Sequence, residues 1–222
     1  MSWRVVNVTF RDRGEAGRLL ARRLRDLQRH RPVVLGLPRG GMPVAAEVAR
    51  ALGAPLDVLV VRKLGCPWQP ELGFGAIGED GVCVLNDDLV RTLRLSSGEI
   101  AEVAARERAE LDRRVLRYRG DRPPVDLQGR TVIVVDDGVA TGSAAKAAVE
   151  LVRRRGAGHV VVAVPVASTH AIRELATMAD GVVCLESSET FGAIGEFYDD
   201  FTQTSDEEVT AALAAAASPA PG

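Results

Sequence analysis

"VIVVDDGVATGSAAKAAVELV", residues 132–152, runs four apolar residues into two adjacent carboxylates, Asp136 and Asp137, and then into a turn of glycine, alanine, threonine and serine. Beyond the turn, Ala145, Ala148, Val149 and Val152 recur at the spacing of one helical face. A buried strand, a small-residue turn and an amphipathic helix are therefore expected in succession. Gly138, Ala140 and Gly142 let the backbone come close to a ligand, and the amides at a helix start carry partial positive charge, so the turn suits a phosphate. The hydroxyls of Thr141 and Ser143 add donors. Carboxylates beside a phosphate would repel it unless they hold something else. Vicinal sugar hydroxyls suit two adjacent acids, and so does a magnesium ion. A ribose 5-phosphate group satisfies both halves of the stretch. A nucleoside-triphosphate loop of the Walker type is excluded because no lysine precedes Ser143, and the dinucleotide fingerprint is absent from this turn. A plain hairpin at Asp-Asp-Gly does not suit the helical period that follows.

Outward from this stretch, apolar runs alternate with helical periods. Residues 33–37 read as a buried strand and Pro38 to Gly41 as a turn. A helix opens at Pro43, with Val44, Val48 and Leu52 inward and Gly53 at its end. Residues 56–61 read as a second buried strand, completing a right-handed parallel crossover. "HVVVAVPVA" and "GVVCLE" are two more strands, separated by a helix over 168–179. This order predicts an α/β fold, a doubly wound parallel sheet covered on both faces. Residues 64–73 lose all period and read as an ordered loop at best, with mobility plausible. "FGAIGEDGVCVL" reads as a hairpin around Glu79, Asp80 and Gly81. Helices are expected over 97–118 and over 15–31. The second has Ala16, Leu20, Leu24 and Leu27 on one face, and a row of Arg18, Arg22, Arg25 and Arg29 that reads as a solvated face rather than a phosphate or partner surface. Ser205 and Glu208 form a capping box for a last helix, and the alanine-rich end is expected to fray into disorder. "FGAIGE" occurs at 74–79 and again at 191–196, and both copies are expected at the mouth of one cleft.

At 222 residues, 46% hydrophobic and 4% aromatic, the chain can bury an aliphatic core without staples. A net charge of −2 gives no general attraction for nucleic acid, which is not expected as a partner. No apolar run is long enough to span a membrane, and the opening residues lack a signal peptide's apolar core, so a cytoplasmic location is expected. Three scattered cysteines predict reduced thiols, and three unclustered histidines predict no histidine metal site.

The stretch "VIVVDDGVATGSA" resembles the binding motif for 5-phosphoribosyl 1-pyrophosphate (PRPP) in the type I phosphoribosyltransferases. "LGLPRGGMPVA" is similar to that family's pyrophosphate loop, and "VVRKLG" to the strand end after which its mobile loop follows. The resemblance implies that Asp136 and Asp137 hold the ribose hydroxyls, with Mg2+ reached through those hydroxyls or water. It implies that Gly138, Val139, Ala140, Thr141, Gly142 and Ser143 hold the 5-phosphate. Arg39, Gly40 and Gly41 would meet pyrophosphate, where members often have a strained peptide, with Arg62 and Lys63 adding charge. Lys63, Arg39 and Asp137 would be the catalytic set.

The implied reaction moves the phosphoribosyl group to a nucleobase-like acceptor, as in purine and pyrimidine salvage, and the family is commonly homodimeric. Where enzymes of 6-oxopurines place an acid, this chain has Ala140, so hypoxanthine and guanine are less favoured. A hood from residues 1–14 and 187–204 is expected to choose the acceptor. In it Phe191, Phe197, Tyr198 and Phe201 could stack a base, or simply pack a small subdomain. The transferase domain is taken as residues 1–204 and the remainder, 205–222, as a helix and tail. The alternative is a PRPP-binding regulatory module without turnover, linked to nucleic acid. A PRPP-using hydrolase, or a chain serving beside a partner enzyme, also fits.

Overall fold

In the computed structural model, which describes residues 9–217, the elements run in the order α1 (Arg13–Arg23), β1 (Val33–Gly36), α2 (Gly41–Leu52), β2 (Leu56–Val58), β3 (Val61–Cys66), β4 (Gln69–Gly78), β5 (Cys83–Leu85), α3 (Asp87–Leu93), α4 (Ser97–Arg119), β6 (Thr131–Val135), α5 (Ser143–Arg154), β7 (His159–Ser168), α6 (Thr169–Leu175), β8 (Gly181–Ser188) and α7 (Asp206–Ala217). The apolar run that ends at Asp136 is β6, and its residues divide by alternation. Val132 and Val134 enter a core built with α5 and α6, while Ile133 and Val135 enter one built with α1, α2 and α7. A strand apolar on both sides has to be covered on both, and here it is. Five parallel strands form the main sheet in the order β2-β1-β6-β7-β8. The chain winds outward from β1 to β2, then crosses back to β6 on the other side. The switch in strand order therefore falls between β1 and β6, where such sheets open a crevice at the strands' carboxyl ends.

Several expectations are corrected. The second strand is not continuous over 56–61, because β2 stops at Val58 and the chain leaves at Val61 for a separate antiparallel sheet, β3-β4-β5. The aperiodic stretch 64–73 is the far part of the β3–β4 hairpin. Its ladder slips between Leu64 and Gly65 and again between Gly65 and Cys66, so the strands pair without regular alternation. The helix expected over 15–31 is α-helical only in α1 and continues as a 3-10 helix over Arg25–His30; the arginines 18, 22, 25 and 29 are exposed there. The helix expected over 168–179 is the shorter α6, and α3 was not foreseen. All three cysteines lie on strands and are free.

Two devices tie the parts together. Arg119, at the end of α4, donates from Nη1 to Glu79 Oε2 (2.6 Å), from Nε to Asp57 Oδ1 (3.2 Å) and from Nη2 to the Val58 carbonyl (2.8 Å). Asp57 in turn accepts from the amides of Val58 and Val125, and Glu79 from that of Val60. This buried cluster pins α4 and the hairpin sheet to the edge of the main sheet. Glu79 belongs to the first "FGAIGE" and is buried, whereas in the second Glu196 is exposed and Phe191 stacks on Phe197, so the two copies pack differently. At the C-terminal end, the capping box forms as read, with Ser205 N donating to Glu208 (2.6 Å) and Glu208 N to Ser205 Oγ (3.1 Å). α7 buries Val209 and Leu213 in the same core as α2 and α4, and its helix holds to Ala217 where fraying was expected. The remainder of the expected disordered tail, like residues 1–8 of the hood, lies outside the described residues. Among the described residues, no helix is long and apolar enough to cross a membrane.

Candidate functional site

β6 ends at Val135, and the next two residues carry their carboxylates into the crevice beside β1. The turn after β1, residues 37–41, lies directly against them. A β-carbon on Gly40 would sit 2.0 Å from Asp137 Oδ2, and one on Gly41 would sit 2.7 Å from the Val135 carbonyl oxygen and 2.8 Å from Asp136 Cα. Only glycine lets the two turns touch. The peptide between Pro38 and Arg39, at the head of this turn, is cis.

Asp136 keeps an accessible edge and accepts the Asp137 amide at 2.9 Å, while Asp137 is buried. Burial pushes the Asp136 carboxyl well above its ordinary value, and the neighbouring charge of Asp137 adds to the effect. Burial also raises Asp137, against the opposing pull of Arg13. Arg13 was not singled out from the sequence. Its Nε donates to Asp137 Oδ2 at 2.8 Å, and both side chains are only 11% exposed.

The turn over residues 138–143, expected to hold a phosphate, divides in two. Ala140, Thr141, Ser143 and Ala144 are exposed, with the Thr141 and Ser143 hydroxyls 3.3 Å apart at the start of α5. Gly138 is packed beneath Ile194 and Val166. Val139 does not belong among the phosphate ligands. Its amide donates to the Val166 carbonyl (2.9 Å) and its carbonyl accepts from Ser168 N (2.9 Å), so it anchors the turn to β7 with its side chain buried. Lys146, in the first turn of α5, brings its Cε within 3.3 Å of where a β-carbon on Gly142 would lie, and its ammonium pairs with Glu174 of α6.

The remaining cations are spread out. Arg39 lies 3.8 Å from Asp206 at the start of α7, a carboxylate that also takes Arg117 (2.9 Å) and the Tyr118 hydroxyl (2.6 Å). The Tyr118 hydrogen bond holds Asp206 below its ordinary value, and burial, aided by that bond, pushes Tyr118 up to about 12. Arg62 is engaged by Glu107 of α4 through Nε at 3.0 Å. Lys63, its neighbour on β3, is exposed.

The two expected hood segments do meet. Phe10 and Tyr198 form a parallel bridge, with Phe10 N donating to the Phe197 carbonyl and Asp199 N to that of Phe10, each at 2.8 Å. The four aromatics proposed to stack a base mostly face one another. Tyr198 is buried between Phe10 and Phe201, with ring centroids 5.6 and 5.1 Å away, and Phe191 stacks on Phe197 at 5.3 Å. The Tyr198 hydroxyl donates to the Asp137 carbonyl at 2.6 Å, and burial raises its pKa. Packing of a small subdomain is thus the role the rings fill; Phe191, Phe197 and Phe201 retain partial exposure.

Among the described residues, no group of three or more histidine, cysteine or acidic side chains gathers to chelate a metal. Two carboxylates, one already paired with a guanidinium, fit a magnesium ion that arrives with the oxygens of a ligand, since that ion keeps most of its shell from water and substrate. A hollow of about 460 Å³ lined by Gln28, Arg31, Leu52, Pro55 and Arg130 lies at the amino ends of β1, β2 and β6 and includes none of these residues.

Residues 13–202 match the family described as the phosphoribosyl transferase domain. Over 204 residues the chain is 55% identical to Rv0571c of Mycobacterium tuberculosis strain H37Rv and to MT0597 of strain CDC 1551, both of which carry a phosphoribosyl transferase name that is itself provisional. The match covers 92% of this chain and 46% of those proteins, so the chain spans about half the length of the curated relatives it matches. The crystal structure of TT1426 from Thermus thermophilus superposes with a TM-score of 0.85 at 48% identity, covering 95% of this chain and all of that one.

Proposed function

Because the chain belongs to the phosphoribosyl transferase family, we propose that it transfers the 5-phosphoribosyl group of PRPP to a nitrogenous base and releases pyrophosphate. The observation that carries this reading is the contact of Gly40 and Gly41 with Asp137 and Asp136. In PRPP the pyrophosphate is on C1 of the ribose and the hydroxyls are on C2 and C3, so a protein that holds both needs its pyrophosphate loop beside its diol-binding acids. The 5-phosphate lies at the other end of the sugar, and the open hydroxyl-bearing turn at the start of α5 follows the acids within a few residues.

In this reading Asp136 and Asp137 accept hydrogen bonds from the hydroxyls, and the exposed part of residues 140–143 holds the 5-phosphate. The bond from C1 to the pyrophosphate oxygen breaks with its electron pair, a nitrogen lone pair forms the new bond to C1, and the nitrogen's proton is released. Positive charge grows on the sugar as negative charge leaves. Arg39, on the turn that touches the acids, favours that separation, and Lys63 would add to it only if the exposed β3 side chain reached the departing group. Magnesium would enter with PRPP and neutralise part of the pyrophosphate. Ala140 offers no acid to the acceptor, which weighs against 6-oxopurines.

The test is pyrophosphate release from PRPP and magnesium across a panel of nucleobases, beside calorimetric PRPP binding. Asp136→Asn with Asp137→Asn is expected to weaken PRPP about 100-fold, since each lost hydrogen bond to a charged group is worth about 1.5 kcal/mol. Unchanged affinity contradicts the assignment; binding without release for any base leaves a PRPP-responsive regulatory module instead.

A further inference from the structure

Three segments distant in sequence converge on the Asp137 side chain and its carbonyl. Arg13 begins α1, whose N-cap is Asp12, and its guanidinium reaches across to Asp137. The same guanidinium donates from Nη1 to the Thr202 carbonyl at 2.8 Å and lies over the Phe201 ring with its central carbon 3.9 Å from the centroid. Tyr198 holds the Asp137 carbonyl, and Gly40 packs on the carboxylate oxygen that Arg13 binds. The two halves of the hood and the turn after β1 therefore meet at one residue, Asp137: Arg13 and Gly40 at its carboxylate, and Tyr198 at its carbonyl.

A bare pair of acids in this crevice would carry two negative charges with little water, and the hydroxyls of a sugar bring no cation. A guanidinium already fixed by a carbonyl and a ring face supplies the missing charge at little further loss of freedom. Arg13 engages one oxygen of Asp137, and the carboxyl also interacts with Asp136, so a ribose hydroxyl would take the acceptor capacity that these two leave.

We propose that Arg13 is a positioning residue: it orients Asp137 to receive a ribose hydroxyl, and it makes that grip depend on the hood, through Phe201 and Thr202. This rests on the PRPP reading above and adds to it a residue outside the three loops that carry the resemblance. Arg13 does not touch the reacting atoms.

The experiment measures binding of PRPP, and separately of inorganic phosphate, to the full chain by calorimetry, with thermal melting to check folding. Arg13→Gln is expected to weaken PRPP at least about tenfold, as loss of a charge-assisted contact does, while inorganic phosphate stays within twofold. Arg13→Lys, which keeps the charge and loses the fork, is expected to fold and to recover part of the loss. In the cycle with Asp137→Asn, the double variant is expected to bind PRPP no more weakly than Asp137→Asn alone, because Arg13 acts only through that carboxylate. Should Arg13→Gln melt too early to measure, the Lys variant decides: PRPP affinity equal to wild type overturns the proposal. So do additive losses in the cycle, or a parallel loss of inorganic phosphate. Wild-type protein that fails to bind PRPP removes the underlying reading as well, whereas wild-type binding that survives Arg13→Gln unchanged removes this inference alone.

Discussion

Burial raises the carboxyls of Asp136 and Asp137 above their ordinary values, and only Asp137 has the opposing pull of a directly bonded guanidinium, that of Arg13. The Asp136 carboxyl is raised well above its ordinary 3.8 by burial and by the adjacent charge. In the window from 3.8 up to that raised value, the folded chain holds a proton that the unfolded chain has released. Stability therefore falls as pH rises through the window and levels off above it. Asp136→Asn keeps the oxygen that accepts the Asp137 amide and removes the charge. Its melting temperature is expected to exceed that of wild type at pH 8, with the difference shrinking toward pH 4; an identical difference at both pH values would refute the argument. These two acids were legible because strand-end carboxylates next to a small-residue turn are an unusual local pattern. Arg13 was not, because its partner is 124 positions away and nothing local marks it apart from the other arginines of α1. Val139 was misread for a related reason: a turn's composition does not say which of its amides are already taken by a neighbouring strand.

Among the elements, the hairpin sheet and α4 depend on one buried guanidinium. Arg119, Asp57 and Glu79 have no unsatisfied buried side-chain atom among the described residues. Removing the cation leaves two carboxylates uncompensated in a dry place, and breaking such a cluster costs about 3–5 kcal/mol. Arg119→Ala is accordingly expected to lower the free energy of unfolding by that amount, measured from urea midpoints; a loss below about 1 kcal/mol would show that water reaches the cluster. Helices α2, α4 and α5 and the strands β1, β6, β7 and β8 followed the sequence closely because periods of 3.6 and of uninterrupted apolarity leave little choice of partner. The outer hairpin did not. Its ladder slips twice where prolines and glycines crowd together, so the alternation that signals a strand is absent even though the strands exist.

At the scale of the whole molecule, the order β2-β1-β6-β7-β8 places the turns after β1 and β6 on either side of the one crevice where winding reverses, and this positions the site before any side chain is considered. A domain ending at residue 204 separates α7 from the core it serves. Leu213 is 2% exposed and shares a cluster with α2 and α4. Leu213→Ala is expected to cost about 2–5 kcal/mol, the range for truncating a buried leucine, read by thermal or urea unfolding. A surface helix would show almost no change. The sequence concealed this because half of α7 is alanine, and its two anchors carry no period long enough to mark a buried face. The hairpin bears a last consequence. Leu64, Phe74 and Ile77 root it with at most 1% exposure, while Trp68 at its far end is 57% exposed. Replacing Trp68 leaves the buried packing of the hairpin untouched, whereas a smaller side chain at Phe74 or Ile77 opens a void beneath the whole arm.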